Sequence, residues 1–341
     1  MDDSTRASDE SRTGHDRRRF LGLLAAVGTA SVAGCTASGS GDDTTPTPDP
    51  TSTRDPTTGQ PPDGNRYPDY GDDVARVVGY EDVDPPTDAV YVEPGSEGVT
   101  LPSGEISFTM HNGTHRTFAT NFYGWRIDRW EDGWHHVAPR FVNQPLMHLR
   151  PGGSHTWRIT VDNTDLRDAE KVSGNVGGTT DVTVPALGGG TYAFAADGWF
   201  EGDGSTTSSV PEHERQTAVA ARFTVEGPAL ELSLSDWVTD TARDGDTVTV
   251  TPGDRPERES SRPATYVLRR DPDVEDPRTL VTEQVIREWP LRDALAALEP
   301  GVETVRVETT TGAYPAFGIH EPVAVEYEGE TFGVETEDPE N

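Results

Sequence analysis

Between residues 88 and 227 apolar side chains recur at every second position. Ile106, Phe108 and Met110 fall on one face, with Ser107, Thr109 and His111 on the other. Period two is the repeat of a half-buried strand, because successive side chains of an extended chain point to opposite faces. Tyr123, Trp125 and Ile127 alternate in the same way with Gly124, Arg126 and Asp128. Glu131-Asp132-Gly133 then supplies a hairpin turn between Trp130 and Trp134. Trp157, Ile159 and Val161 form a further inward set, as do Tyr192 and Phe194, then Val219, Ala221, Phe223 and Val225. With residues 89–92 in front, about seven strands are predicted, joined by Gly, Pro, Asp and Asn and with no helix between them. Strands of this kind bury one face each by pairing two sheets, so residues 71–227 are expected to form a β-sandwich.

Beyond Gly227 the pattern becomes mixed. Strand-like alternation resumes over residues 230–234, 247–251 and 265–268. Leu280, Val281, Val285 and Ile286 then show helical spacing, which Trp289-Pro290 interrupts, since a proline within a helix removes a hydrogen bond and crowds the preceding turn. Pro290 is acceptable at the start of a second helix carrying Leu291, Ala294, Leu295 and Leu298, which Pro300-Gly301 stops. Val302, Val305 and Val307 predict one strand, Val323, Val325 and Tyr327 another, and Phe332 and Val334 a short last one. Residues 228–341 are therefore expected to be a small α+β domain.

The N-terminal 35 residues have a different logic. Arg17-Arg18-Arg19-Phe20-Leu21 leads into an apolar run over residues 21–33 that ends at Val32-Ala33-Gly34-Cys35. That run is shorter than the about 20 apolar residues a spanning helix needs, and suits the apolar part of a signal peptide. Arg17, Arg18, Phe20 and Leu21 resemble a twin-arginine export signal, and Val32 to Cys35 resembles a lipoprotein processing box whose cysteine thiol accepts the lipid. The resemblance implies a mature chain anchored through Cys35 to the outer face of the cell membrane, folded before export. Residues 36–70 are nearly all Thr, Pro, Asp, Gly and Ser, too few apolar groups to offset ordering entropy, so they are expected to be a disordered stalk.

Charge narrows the setting. Acidic residues number 60 against 28 basic ones, for a net charge of -32, and Lys171 is the one lysine. An acidic excess spread along the chain, with lysine depleted, resembles proteins of extreme halophiles; twin-arginine lipoproteins are common in halophilic archaea. The same charge excludes nucleic acid as a partner, because phosphate binding needs clustered Arg or Lys. Cys35 is the only cysteine, so no disulfide within the chain and no cysteine-based zinc or redox site can form.

The order Phe108-Thr109-Met110-His111-Asn112, then Tyr123-Gly124-Trp125-Arg126-Ile127, then Trp134 is similar to a bacterial immunoglobulin-like domain of surface lipoproteins. Pro151-Gly152 before an outer strand and Gly190-Thr191-Tyr192 within a later one extend the resemblance over residues 88–227. It implies an immunoglobulin-like sandwich with Trp125 in the core and Tyr192 at a tyrosine corner, acting as a binding or spacer module and carrying no catalytic residues.

Candidate chemistry is sparse. His111, His115, His135, His136, His148 and His155 crowd one stretch, with Met110 and Met147 each preceding one of them. Imidazole and thioether ligands suit copper, which makes metal binding an alternative reading. Strand parity argues against it: Met110 and His111 point to opposite faces, as do His135 and His136. Asp197, Glu201 and Asp203 are abundant oxygen ligands for calcium, but lack the spacing of a calcium-binding loop. Asn112-Gly113-Thr114 is an N-glycosylation sequon. No nucleophile elbow, phosphate loop or zinc-protease motif is present, so no cofactor and no enzymatic activity are expected. The expected function is a non-enzymatic, lipid-anchored binding or structural module that contacts another surface protein or a glycan, with Trp130 and Trp134 as candidate contacts. A proteinase-inhibitor-like sandwich is a further alternative, and it would require a protruding ordered loop.

Overall fold

Apolar alternation becomes sheet in the computed structural model, which describes residues 60–174, 176–202, 215–253, 263–271, 273, 276–309 and 323–337. The expected export signal at Arg17, Arg18, Phe20 and Leu21, the lipid-accepting Cys35, most of the stalk and Asp203 lie outside the described residues. The described residues all belong to one unit that runs from Ser52 to Asn341. The chain is mainly β.

The sandwich is built from β1 (Val74–Gly79), β2 (Val90–Pro94), β3 (Gly98–Thr100), β4 (Ser103–Asn112), β5 (Phe118–Thr120) and β6 (Arg126–Trp130). It continues with β7 (Trp134–Ala138), β8 (Met147–Leu149), β9 (Ser154–Asp162), the short helix α1 (Ala169–Ser173), β10 (Asp181–Val184), β11 (Gly190–Phe200) and β12 (Gln216–Glu226). One sheet of eight strands follows the order β1-β12-β11-β5-β8, with β6 also on β11, β7 on β6 and β3 on β12. The facing sheet is β10-β9-β4-β2. Their inner faces meet where Phe108 of β4 stacks on Phe194 of β11 at 4.1 Å, with Trp157 and Trp125 ranged around the same ring. Trp125 is 1% exposed. The Tyr192 hydroxyl donates to the Gly188 carbonyl four residues back, at 2.8 Å, which is the tyrosine corner. The expected hairpin is present, with Trp130 opposite Trp134 and Asp132 in the left-handed region at φ 54.

Three expectations are corrected here. A helix does interrupt the strands: Asp168 caps α1 by accepting from the Lys171 amide at 2.8 Å. The stalk does not reach residue 70, because the chain already lies on the sandwich from about residue 60. Pro61 and Pro68 are buried, the Trp134 indole donates to the Asn65 carbonyl at 2.9 Å, and Arg126 sits over the Tyr70 ring. The aromatic and guanidinium groups in this stretch give it something to bury, which the Thr/Pro/Asp run before it lacks. Residues 230–234 form no strand; Leu230 and Leu232 pack on the small cluster of Val172, Ala186 and Ile286 instead.

The second half holds β13 (Val238–Asp244), β14 (Thr247–Pro252), β15 (Ala264–Arg270), β16 (Arg278–Leu280), the helices α2 (Thr282–Val285) and α3 (Leu291–Ala296), and β17 (Thr304–Thr309), β18 (Val323–Tyr327) and β19 (Glu330–Glu337). Its seven strands form one sheet in the order β13-β14-β17-β15-β19-β18-β16. Leu291, Ala294 and Leu295 of α3 pack on Val305, Val307 and Tyr266 in a core of their own. Pro290 is the residue before α3, as the sequence predicts.

The two halves join through buried polar groups. Glu283 of α2, 1% exposed, reaches the tyrosine corner, where its Oε1 accepts from Arg129 Nη1 at 2.6 Å and the Gly188 amide at 3.0 Å and lies 2.9 Å from the Tyr192 hydroxyl oxygen. Arg287, one turn on, donates to the carbonyls of Pro185 and Ala186. Burial pulls its guanidinium down to about 10. Arg292 of α3 also crosses, donating to the Leu166 carbonyl at 2.7 Å, next to the buried Ser235–Asp293 pair within the second half at 2.7 Å.

Candidate functional site

The loop at residues 139–146, between β7 and β8, carries Phe141, Val142 and Leu146, which are 69%, 36% and 56% exposed. Among the described residues the only other large apolar side chain this exposed is Val77. Scattered surface apolar groups need no explanation, but three on one loop do. Pro139 and Pro145 bracket the loop, so it can neither extend β7 nor coil into a helix. Its base is pinned on both sides. Asn121 Nδ2 donates to the Asn143 carbonyl at 2.6 Å, and Arg140 pairs with Glu288 at 2.9 Å while its guanidinium covers the Phe141 ring. Gln284 of α2 donates to the His136 carbonyl at 2.9 Å, so the second half also holds the strand that leads into the loop.

Two clefts flank this ridge. One, of ≈ 350 Å³, lies against the second half between Phe141, Arg140, Gln284 and Glu288. The other, of ≈ 460 Å³, lies over the outer face of the larger sheet and is lined by Trp125, Arg126, His136, Gln144, Asp197 and Trp199 among others. Arg126 Nε donates to Asp128 at 2.8 Å, and His136 Nδ1 lies 3.5 Å from the same carboxylate. Burial alone would raise the Asp128 carboxyl, but the His136 and Arg126 partners hold it below its ordinary value. His136 Nε2 meets the Pro139 carbonyl at 2.9 Å, so its two ring nitrogens face the base of the loop and Asp128. Asp197, in contrast, is raised by burial, with Arg126 pulling the other way. No side-chain donor among the described residues reaches its carboxylate.

The six candidate histidines, all among the described residues, do not converge. His111 stacks on Tyr91 and pairs with Glu93 at 3.2 Å; His148 pairs with Glu201 at 2.9 Å; His155 stacks on Phe122 at 3.7 Å and meets the Thr179 carbonyl. His135 meets the Glu131 carbonyl at 3.1 Å, and His115 is exposed. Among the described residues no group of three or more potential ligands is placed to hold a metal ion. Asp197 and Glu201 likewise do not form a calcium loop, since Asp197 lines the cleft while Glu201 pairs with His148.

Asn112 is 1% exposed, and its Nδ2, the atom a glycan would join, donates to the Arg116 and Leu149 carbonyls at 2.8 Å each. The sequon is therefore closed to glycosylation in the folded chain. Trp130 and Trp134 meet edge to face at 5.4 Å, half-buried, and Trp134 anchors the segment around Asn65. The exposed apolar surface lies elsewhere, on the loop that sequence reasoning passed over. Its signal was present: apolar residues without period two or 3.6, enclosed by two prolines. Compared with known proteins, the chain matches no family model and no curated protein.

Proposed function

We propose that this chain is a non-enzymatic binding module, exported and held by a lipid on Cys35 at the outer face of the cell membrane, that docks another cell-surface component through the 139–146 loop. The observation that carries the reading is the exposure of Phe141, Val142 and Leu146 on a loop whose base is fixed by Asn121, Arg140 and Glu288. A pre-ordered apolar ridge loses little conformational freedom on association, which favours recognition over catalysis. The anchor and the stalk place such a ridge clear of the bilayer.

Two experiments test the reading. The F141S/L146S double variant should be released from isolated envelopes of the producing cell while keeping its unfolding midpoint; retention equal to the unaltered chain would remove the docking role. Cys35→Ser should shift the mature chain from the membrane to the medium, and mass analysis finding an unmodified Cys35 on a membrane-bound chain would remove the anchor. A second reading, a proteinase-inhibitor-like sandwich, is favoured by the same loop, since an inhibitor needs a held, exposed segment. It requires that a protease be blocked by the intact chain and escape the F141S/L146S variant.

A further inference from the structure

We propose that the cleft on the Asp197 side of the loop binds the ring of a neutral saccharide, so that the docked component is glycosylated. The proposal rests on the reading of the loop as a docking ridge and names the chemistry of the site beside it. At ≈ 460 Å³ the cleft falls within the size range of small-molecule sites.

Its charges decide the ligand class. Arg126 is occupied by Asp128 and Arg140 by Glu288, so neither cation is left to attract an anion. The net charge of -32 further repels one. A basic ligand seated on Asp197 would in turn lie beside the Arg126 guanidinium, whose field already acts on that carboxylate. What remains is a desolvated acceptor pair on Asp197, the amide of Gln144 and the indole of Trp199, all lining one cavity. Asp197 and Trp199 are two apart on β11, so strand parity sets them on the same face. Vicinal hydroxyls of a sugar donate to a carboxylate and exchange hydrogen bonds with an amide, while the C–H face of the ring covers an indole. Thr120 and Asn121 fix the rim: the Thr120 hydroxyl donates to the Asp197 carbonyl at 2.6 Å, and Asn121 holds the loop at Asn143. The acceptor is thus set on a rigid strand before any ligand arrives.

The test uses the full mature chain with glucose, galactose, mannose and N-acetylglucosamine as probes, read by tryptophan fluorescence and by saturation-transfer NMR. At least one sugar should bind in the millimolar range. Trp199→Ala and Asp197→Ala should each weaken it by about tenfold or more, with folding checked by far-ultraviolet circular dichroism. If none of the four sugars binds while F141S/L146S still loses envelope retention, the saccharide inference fails and the docking reading stands. If a sugar binds with this dependence but F141S/L146S is retained as before, the docking reading fails and the cleft remains a saccharide site. Binding of a hexa-arginine peptide that Asp197→Ala abolishes, without binding of any sugar, overturns the proposal in favour of a cationic ligand.

Discussion

At Asp162 three donors meet one carboxylate. Thr164 contributes its hydroxyl at 2.6 Å and its amide at 3.0 Å, and Lys171 adds its ammonium at 3.0 Å. Together they draw the carboxyl from 3.8 to about 2, the Thr164 hydroxyl acting most strongly. A folded-state value below the unfolded one means that the group stabilises the fold fully above 3.8, and that this contribution disappears as pH falls through about 2. Asp162→Asn should therefore unfold at lower denaturant than the parent at neutral pH, and the gap should close on acidification; a gap independent of pH would contradict the assignment. Single residues also mark where sequence was legible. Trp125 and Tyr192 sit where the resemblance puts them, because their roles follow from size and from one hydroxyl. Asp128 does point away from the inter-sheet core as its parity predicts, yet it is 0% exposed, because Tyr70, Arg126 and His136 cover that face. Periodicity gives the direction of a side chain and says nothing of what another segment later lays over it.

α2 is one of the elements through which the halves meet, and Glu283 is its most connected side chain there. Truncation by Glu283→Ala leaves Arg129 with Glu131, at 3.1 Å from its Nε, as its remaining carboxylate, and removes the acceptor of the Gly188 amide and a polar neighbour of the Tyr192 hydroxyl. Loss of one partner from a buried pair costs about 3–5 kcal/mol when the charge left behind is uncompensated. With Glu131 still on Arg129 the cost should fall below that range, and Glu283→Gln, which keeps the acceptor oxygen, should cost less again. Urea titration followed by tryptophan fluorescence checks the order Ala below Gln below parent; equal midpoints would show the contact to be energetically idle. Elements with a buried apolar face were readable: β4, β9, β14 and β17 carry clean alternation, while β11, β12 and β15 alternate only at one end of a run buried on both faces. β13 was not, because from Val238 to Asp244 it is almost wholly exposed and has no apolar face to betray it. β5 was missed for the opposite reason: all three residues are buried, so no alternation exists. Leu230 and Leu232 misled because burial without a ladder gives the same pattern as a strand.

For the molecule as a whole, a net charge of -32 acts as a uniform internal repulsion. Salt shortens its reach, from about 8 Å at physiological ionic strength to about 3 Å at 1 M. The unfolding midpoint should therefore rise steeply with added potassium chloride, while a neutral osmolyte at matched osmolality should raise it less; a flat salt profile would argue against a halophilic setting. The junction at Glu283 bears on heredity as well as stability. Were the chain divided after Gly227, the leading piece would keep a tyrosine corner with an arginine at 129 facing a vacant slot, and the trailing piece would carry Glu283 and Arg287 with nothing to receive them. Neither half is a cassette that recombination could lend to another gene, so descendants of this architecture are expected to inherit both parts together and in this order.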